Sequence, residues 1–164
     1  MMNLFLIIIL LLSTIVHEYS HAWVAARLGD DTATRAGRLT LNPLVHLDLF
    51  GSIILPGLLL FVGSPVVFGY AKPVPINFNN LRGGYKGVAK TALAGPAANF
   101  ILAIVAAVAT RYLAGGPNSD WGQLLFLAAM INVVLMVFNL LPIPPLDGSK
   151  ILALVLPERW RYSY

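Results

Sequence analysis

Cysteine is absent from the chain. Disulfides, thiol nucleophiles and thiolate-held metals are therefore excluded. Charge is scarce as well. Asp, Glu, Lys and Arg make up 11% of the 164 residues, where soluble domains carry roughly 25%. Hydrophobic residues make up 58%, and the mean hydropathy is +0.78. A water-soluble fold is excluded by this balance, and disorder is excluded with it, because disordered chains are polar and charge-rich. What remains is an integral membrane protein whose first partner is the lipid bilayer. The net charge of +4 is no nucleic-acid signal, because the basic residues lie between apolar segments. No Lys or Arg precedes the apolar run of residues 1–16, and the small residues Ala25 and Ala26 come only after a polar cluster. A cleaved signal peptide needs a basic start and an immediate small-residue site, so cleavage is not expected. There is no internal repeat, low-complexity tract or His-rich loop.

The chain reads as one all-α polytopic membrane domain, residues 1–164, with four apolar segments at about 3–28, 51–70, 88–113 and 121–141. The first is free of Pro and Gly and long enough to span. The second is broken by Pro56, Gly57, Gly63 and Pro65. The third is crowded with Ala and Gly, a face that lets helices approach closely in lipid. The fourth ends at Pro142-Ile143-Pro144-Pro145. Between the first two, Gly37-Arg38-Leu39-Thr40-Leu41 alternates and predicts a short β hairpin. The expected architecture is three spanning helices, a re-entrant or fourth membrane segment, and that hairpin.

His17-Glu18-Tyr19-Ser20-His21 is an HExxH pattern inside the first apolar segment. On a helix, positions i and i+4 share a face, so the two imidazoles can grip one Zn²⁺. Glu18, about 100° round the helix, can reach the metal's water and act as its base. The plainer alternative is three polar side chains that only tie helices together. Burying ionisable groups in a spanning helix costs roughly 2.5–3.5 kcal/mol each, which argues against idle ones.

A catalytic zinc takes three protein ligands and leaves one position open. The third ligand has to come from His46, Asp30, Asp31, Asp48, Asp120, Asp147 and Glu158. Asp147 follows an apolar helix and a proline-broken stretch, which frees backbone groups and opens room for a ligand or a substrate. Asp147-Gly148 could equally turn the chain at the interface, and the residues alone leave both readings open.

HEYSH, then NPLVH at residues 42–46, then AKPVP, AGPAAN and NLLPIPPLDG, in this order and spacing, resemble the site-2 protease family of intramembrane zinc metalloproteases. The likeness runs along nearly the whole chain and is greatest to the short prokaryotic branch without a PDZ domain. The resemblance implies His17, His21 and Asp147 as zinc ligands and Glu18 as the base. It also implies Asn139 as a residue that holds substrate or the reaction oxyanion. Two departures stand out. Leu49 replaces a proline common in relatives, and many relatives carry a further helix after the LDG segment where this sequence reads only to Tyr164, as a minimal member or a truncated one would.

Ligand geometry also predicts the topology. His17 and His21 lie in the second half of the first segment, and Asp147 lies just past the fourth. They meet at one depth only if these segments run parallel, so one intervening segment does not span. The second, with its breakers, is the candidate. With it re-entrant, one side carries Arg27, Arg35, Arg38, Lys72, Arg82, Lys86, Lys90, Lys150, Arg159 and Arg161, and the other only Arg111. By the positive-inside rule the metal lies toward the cytoplasmic side of the cell membrane.

His46 is expected to fasten its loop rather than bind zinc, and Asn99 to serve as an interhelical hydrogen bond, with support of the metal ligands as the alternative. Trp23, Tyr70, Tyr112, Trp121, Trp160 and Tyr162 fall near segment ends, as interfacial anchors do. The function expected is zinc-dependent hydrolysis of peptide bonds in or near transmembrane segments of membrane-protein substrates. The rival is a metal transporter or metal-binding membrane protein using the same ligands. A carrier calls for a polar path and often internal symmetry, neither of which is present.

Overall fold

The computed structural model describes residues 2–64, 72–113, 115–157 and 159. Seven α-helices follow in order among them: α1 (Met2–Arg27), α2 (Thr32–Arg35), α3 (Pro43–His46), α4 (Leu55–Phe61), α5 (Tyr85–Tyr112), α6 (Asp120–Asn139) and α7 (Asp147–Val155). A π-helical turn, Leu49–Ile54, leads into α4, and a 3₁₀ turn, Phe78–Asn80, precedes α5. α1, α5 and α6 are long and apolar enough to cross a membrane. At 1.5 Å per residue they measure about 39, 42 and 30 Å, against a hydrocarbon core of about 30 Å. The apolar helical stretch Leu49–Phe61 reaches only about 20 Å and falls short. The rest of the second apolar segment, residues 65–70, lies outside the described residues, as do Trp160 and Tyr162.

Small and polar residues face inward, and large apolar ones face outward. The buried face of α5 is Gly87, Ala89, Thr91, Ala92, Gly95, Pro96, Asn99, Ala103, Ala106 and Thr110. Leu4, Phe5, Ile8 and Leu12 on α1, Phe100, Ile101 and Ile104 on α5, and Val133, Val134 and Val137 on α6 are exposed. Such an arrangement suits lipid, where apolar side chains gain nothing by leaving the solvent and close backbone contact through small residues drives association. Trp23, Tyr112 and Trp121 are exposed at helix ends, and the Arg27 guanidinium lies 4.7 Å from the centre of the Trp23 ring.

Polar contacts fix the helix directions. Ser13 meets Asn132 of α6, His17 meets Asn99 of α5, and His21 meets the Thr91 carbonyl. Residue numbers rise along α1 as they fall along α5, so these two are antiparallel. α6 returns parallel to α1 and delivers α7 to the end where His21 sits. The long α1–α5 connection starts and finishes at that same end. The Arg82 amide donates to the Leu28 carbonyl at 2.8 Å. Buried Asp30 accepts from the Asn77 amide at 2.8 Å and the Asn80 side chain at 3.0 Å. The second apolar segment therefore makes no net crossing.

The expected β hairpin is not there; no strand occurs among the described residues. Gly37 instead follows Ala36, the C-terminal cap of α2. Its φ is +66°, its amide donates to Thr34, and the Arg38 amide reaches back to the Ala33 carbonyl at 2.8 Å. That pair of bonds is the Schellman cap, and it turns the chain before a strand can start. The Thr40 carbonyl is then taken by the His46 ring at 2.7 Å, so the alternating stretch has no pairing partner.

Single cysteines at Asp31, Asn79 and Asn118 test this topology in a chain with no native thiol. An impermeant thiol reagent should label 31 and 79 from one side of the membrane and 118 from the other. Opposite sides for 31 and 79 would make the second segment a true span.

Candidate metal centre

One face of α1 carries Ser13, His17 and His21, all buried, at four-residue spacing. The direction of each imidazole is set from α5. His17 Nδ1 lies 2.6 Å from Asn99 Oδ1, and His21 Nδ1 lies 2.7 Å from the Thr91 carbonyl oxygen. A carbonyl can only accept, so each Nδ1 carries the proton and each Nε2 turns a bare lone pair inward. The two Nε2 atoms are 3.0 Å apart. Asp147, the first residue of α7, brings Oδ2 to 3.2 Å from His17 Nε2 and 3.1 Å from His21 Nε2. Among the described residues, these three are the group able to hold a metal ion.

α7 is held at this place by close backbone contact. A Cβ on Gly148 would run into the Leu140 carbonyl oxygen and lie 2.5 Å from that of Leu141. Only glycine lets the turn after α6 fold back this far. The second carboxylate oxygen of Asp147 accepts from the Lys150 ammonium at 3.1 Å. Burial alone would raise the Asp147 carboxyl. The charge of Lys150 works against that effect and favours the carboxylate. Gly95 forms the floor of the site. A Cβ there would strike His21 Nε2 and lie 2.6 Å from His17 Nε2.

A cleft of about 420 Å³ opens beside this group. Glu18 and Asn139 line it with the three ligand candidates, and so do Pro73, Val74, Ile76, Phe78 and Lys150. Glu18 Oε2 accepts from the Val74 amide at 3.0 Å. Asn139 gives one amide hydrogen to the Leu135 carbonyl at 2.9 Å.

The residues singled out in the sequence thus converge: His17, Glu18, His21, Asn139 and Asp147 share one cleft. His46 stands apart, fully buried, with Nε2 on Thr40 and its carbonyl taken by the Lys72 amide. Asn99 does more than tie helices together, since it holds His17 directly. Gly95, Val74, Lys150 and Asn132 escaped sequence reasoning. For Asn132 a signal existed: it is a lone amide in the middle of an apolar helix, seven residues before Asn139. For the others, only the tertiary contacts carry the information.

Relatives have the same character. Over 161 residues the chain is 39% identical to the protein named Putative zinc metalloprotease YwhC of Bacillus subtilis, covering 93% of this chain and 69% of that one. It is 37% identical over 139 residues to Putative zinc metalloprotease Rip2 of Mycolicibacterium smegmatis, covering 84% of this chain and 52% of the relative. It is 24% identical over 157 residues to Zinc metalloprotease MJ0392 of Methanocaldococcus jannaschii, covering 96% of this chain and 36% of the relative. The chain thus spans about half of Rip2 and about a third of MJ0392. No solved structure matches it. The profile of peptidase family M50 matches residues 115–163, the stretch that carries Asp147. With YwhC matched over more than two thirds of its length, the chain belongs to peptidase family M50, the site-2 protease family of zinc metalloproteases.

Proposed function

We propose that the chain is an intramembrane endopeptidase in which His17, His21 and Asp147 hold zinc. The observation that carries this is the convergence of three lone pairs with no proton between them. Their mutual distances, 3.0, 3.1 and 3.2 Å, match the edge of a tetrahedron with bonds of about 2.0–2.1 Å, near 3.3 Å. Gly95 adds to the fit, because its missing Cβ leaves the space such an ion needs.

Bound there, zinc supplies a Lewis acid that polarises the scissile carbonyl and brings the pKa of water toward about 7. The protein side chains do the rest. Glu18 takes the proton from the attacking water and passes it to the departing amine. The Val74 amide holds Oε2 of that carboxylate and so leaves Oε1 for the proton. Lys150 occupies Oδ1 of Asp147 and keeps the ligand single-pointed through Oδ2. Asn139 has a second amide hydrogen for the substrate carbonyl as it becomes an oxyanion.

The substrate is a transmembrane segment that unwinds locally. An intact helix hides its carbonyls and is about 10–12 Å wide, too broad for a cleft of this volume. The basic end of the bundle, which holds Lys72, Arg82, Lys86 and Lys150, faces the cytoplasm by the positive-inside rule. The site opens toward that side. The carrier reading uses the same three ligands, but Glu18 in the cleft beside them serves a hydrolase better than a carrier.

The direct test incubates purified protein with single-span membrane peptides, with and without a chelator, and locates the cut by mass. Cleavage should require metal. Glu18→Gln should keep zinc and lose about 10²–10⁴-fold in rate. A near wild-type rate would remove the base assignment.

His17→Ala and Asp147→Ala should each lose most of the bound zinc in metal analysis. Full metal content in Asp147→Ala would rule out the third ligand. Gly95→Ala should be equally metal-poor while keeping its helical signal, because its Cβ lands among the ligand atoms. Stoichiometric zinc in that variant would mean that the ion sits elsewhere.

A further inference from the structure

Asn132 is buried on α6, away from the cleft, and no step of the proposed hydrolysis uses it. We propose that Asn132 is a positioning residue that selects the metal-binding tautomer of His17 by fixing which way the Asn99 amide points.

The polarity can be traced from a group that has no choice. The Ala128 carbonyl can only accept, and it lies 2.9 Å from Asn132 Nδ2. The same nitrogen donates to Ser13 Oγ at 2.9 Å. The oxygen end of the Asn132 amide must therefore face α5, where it accepts from Asn99 Nδ2 at 3.0 Å. With its nitrogen committed, Asn99 turns its oxygen to His17 Nδ1 at 2.6 Å. The proton is drawn to Nδ1, and Nε2 is left bare toward Asp147 and His21.

Without Asn132, no other hydrogen bond of the relay stops the Asn99 amide from turning over. An –NH₂ group facing His17 wants a lone pair on Nδ1, which puts the proton on Nε2 and closes the metal face. His21 has no such dependence, because its Nδ1 binds a backbone carbonyl that cannot flip. The relay serves one histidine of the pair, and it lies between three helices where no bulk water can satisfy a misdirected amide.

The affinity arm of the test rests on the zinc reading above; the tautomer arm does not. In the full-length protein in detergent, Asn132→Leu should weaken zinc binding about 10–100-fold in a chelator competition. In an Asn99→Asp background, whichever carboxylate oxygen faces His17 accepts from it, and the Asn132 oxygen faces a negative charge. Asn132→Leu should there be neutral or should tighten binding. An equal loss in both backgrounds would reduce Asn132 to packing and overturn the proposal. ¹⁵N-histidine spectra of the metal-free protein should show His17 protonated at Nδ1 in the wild type and mixed in Asn132→Leu. Asn132→Asp, which keeps size and an oxygen toward Asn99, should restore the wild-type tautomer. An unchanged tautomer in Asn132→Leu would overturn the relay even if the wild type bound no zinc, an outcome that would sink the metal assignment separately.

Discussion

Three electron pairs point at one another at the centre of this protein, and nothing in the protein itself sits between them. The arrangement repels itself unless a cation joins it, so the surrounding structure has to hold it together. α5 does so from one side, with an amide and a backbone carbonyl that pin both imidazoles by their far nitrogens. α7 does so from the other, pressed against the end of α6 through Gly148. The antiparallel and parallel helix directions follow, because only that order brings the first helix and the last to one depth.

The packing around this centre obeys the rules of lipid rather than water. Apart from Ile15 and the two histidines of α1, the inner faces of the three spans are mainly small or polar residues, and most bulky apolar residues face out. Hydroxyls without a neighbouring partner turn to their own helix, as Thr14 does to Leu10, Ser20 to Val16 and Thr110 to Ala106. Such bonds satisfy the group where water cannot reach it. The amides of Asn99 and Asn132 also reach between helices, although Asn132 keeps a bond to its own Ala128 carbonyl, and this sets the register of all three spans at the level of the candidate metal centre.

Much of this was legible in the residues, and the legible part is the part that repeats along a helix. The i, i+4 histidines and the three apolar lengths follow from helical geometry, whereas the residues alone leave Asp147 open and it enters through the family resemblance, which then requires it to share their depth. The hairpin expectation failed because Gly37 has two uses. An alternating stretch after a glycine suits a strand, but here the glycine ends a one-turn helix and the next carbonyl is claimed by His46. Gly95 and Val74 could not be read at all. Their importance comes from what lies opposite them, which for Gly95 is the pair of imidazoles on α1 and for Val74 is the carboxylate of Glu18. Asn132 lay between these cases, visible as an odd amide but without any sign of which neighbour it orients.

The wide separation of the meeting groups in the chain has a consequence for biosynthesis. His17 and Asp147 stand 130 positions apart. A ribosome making this protein releases the HEYSH helix into the bilayer well before the LDG turn. During that interval the two imidazoles and the neighbouring carboxylate exist without their third companion. The growing polypeptide is a set of hydrophobic helices with an unfinished centre. The centre is closed in one step, when α7 docks and brings Asp147 to the two imidazoles.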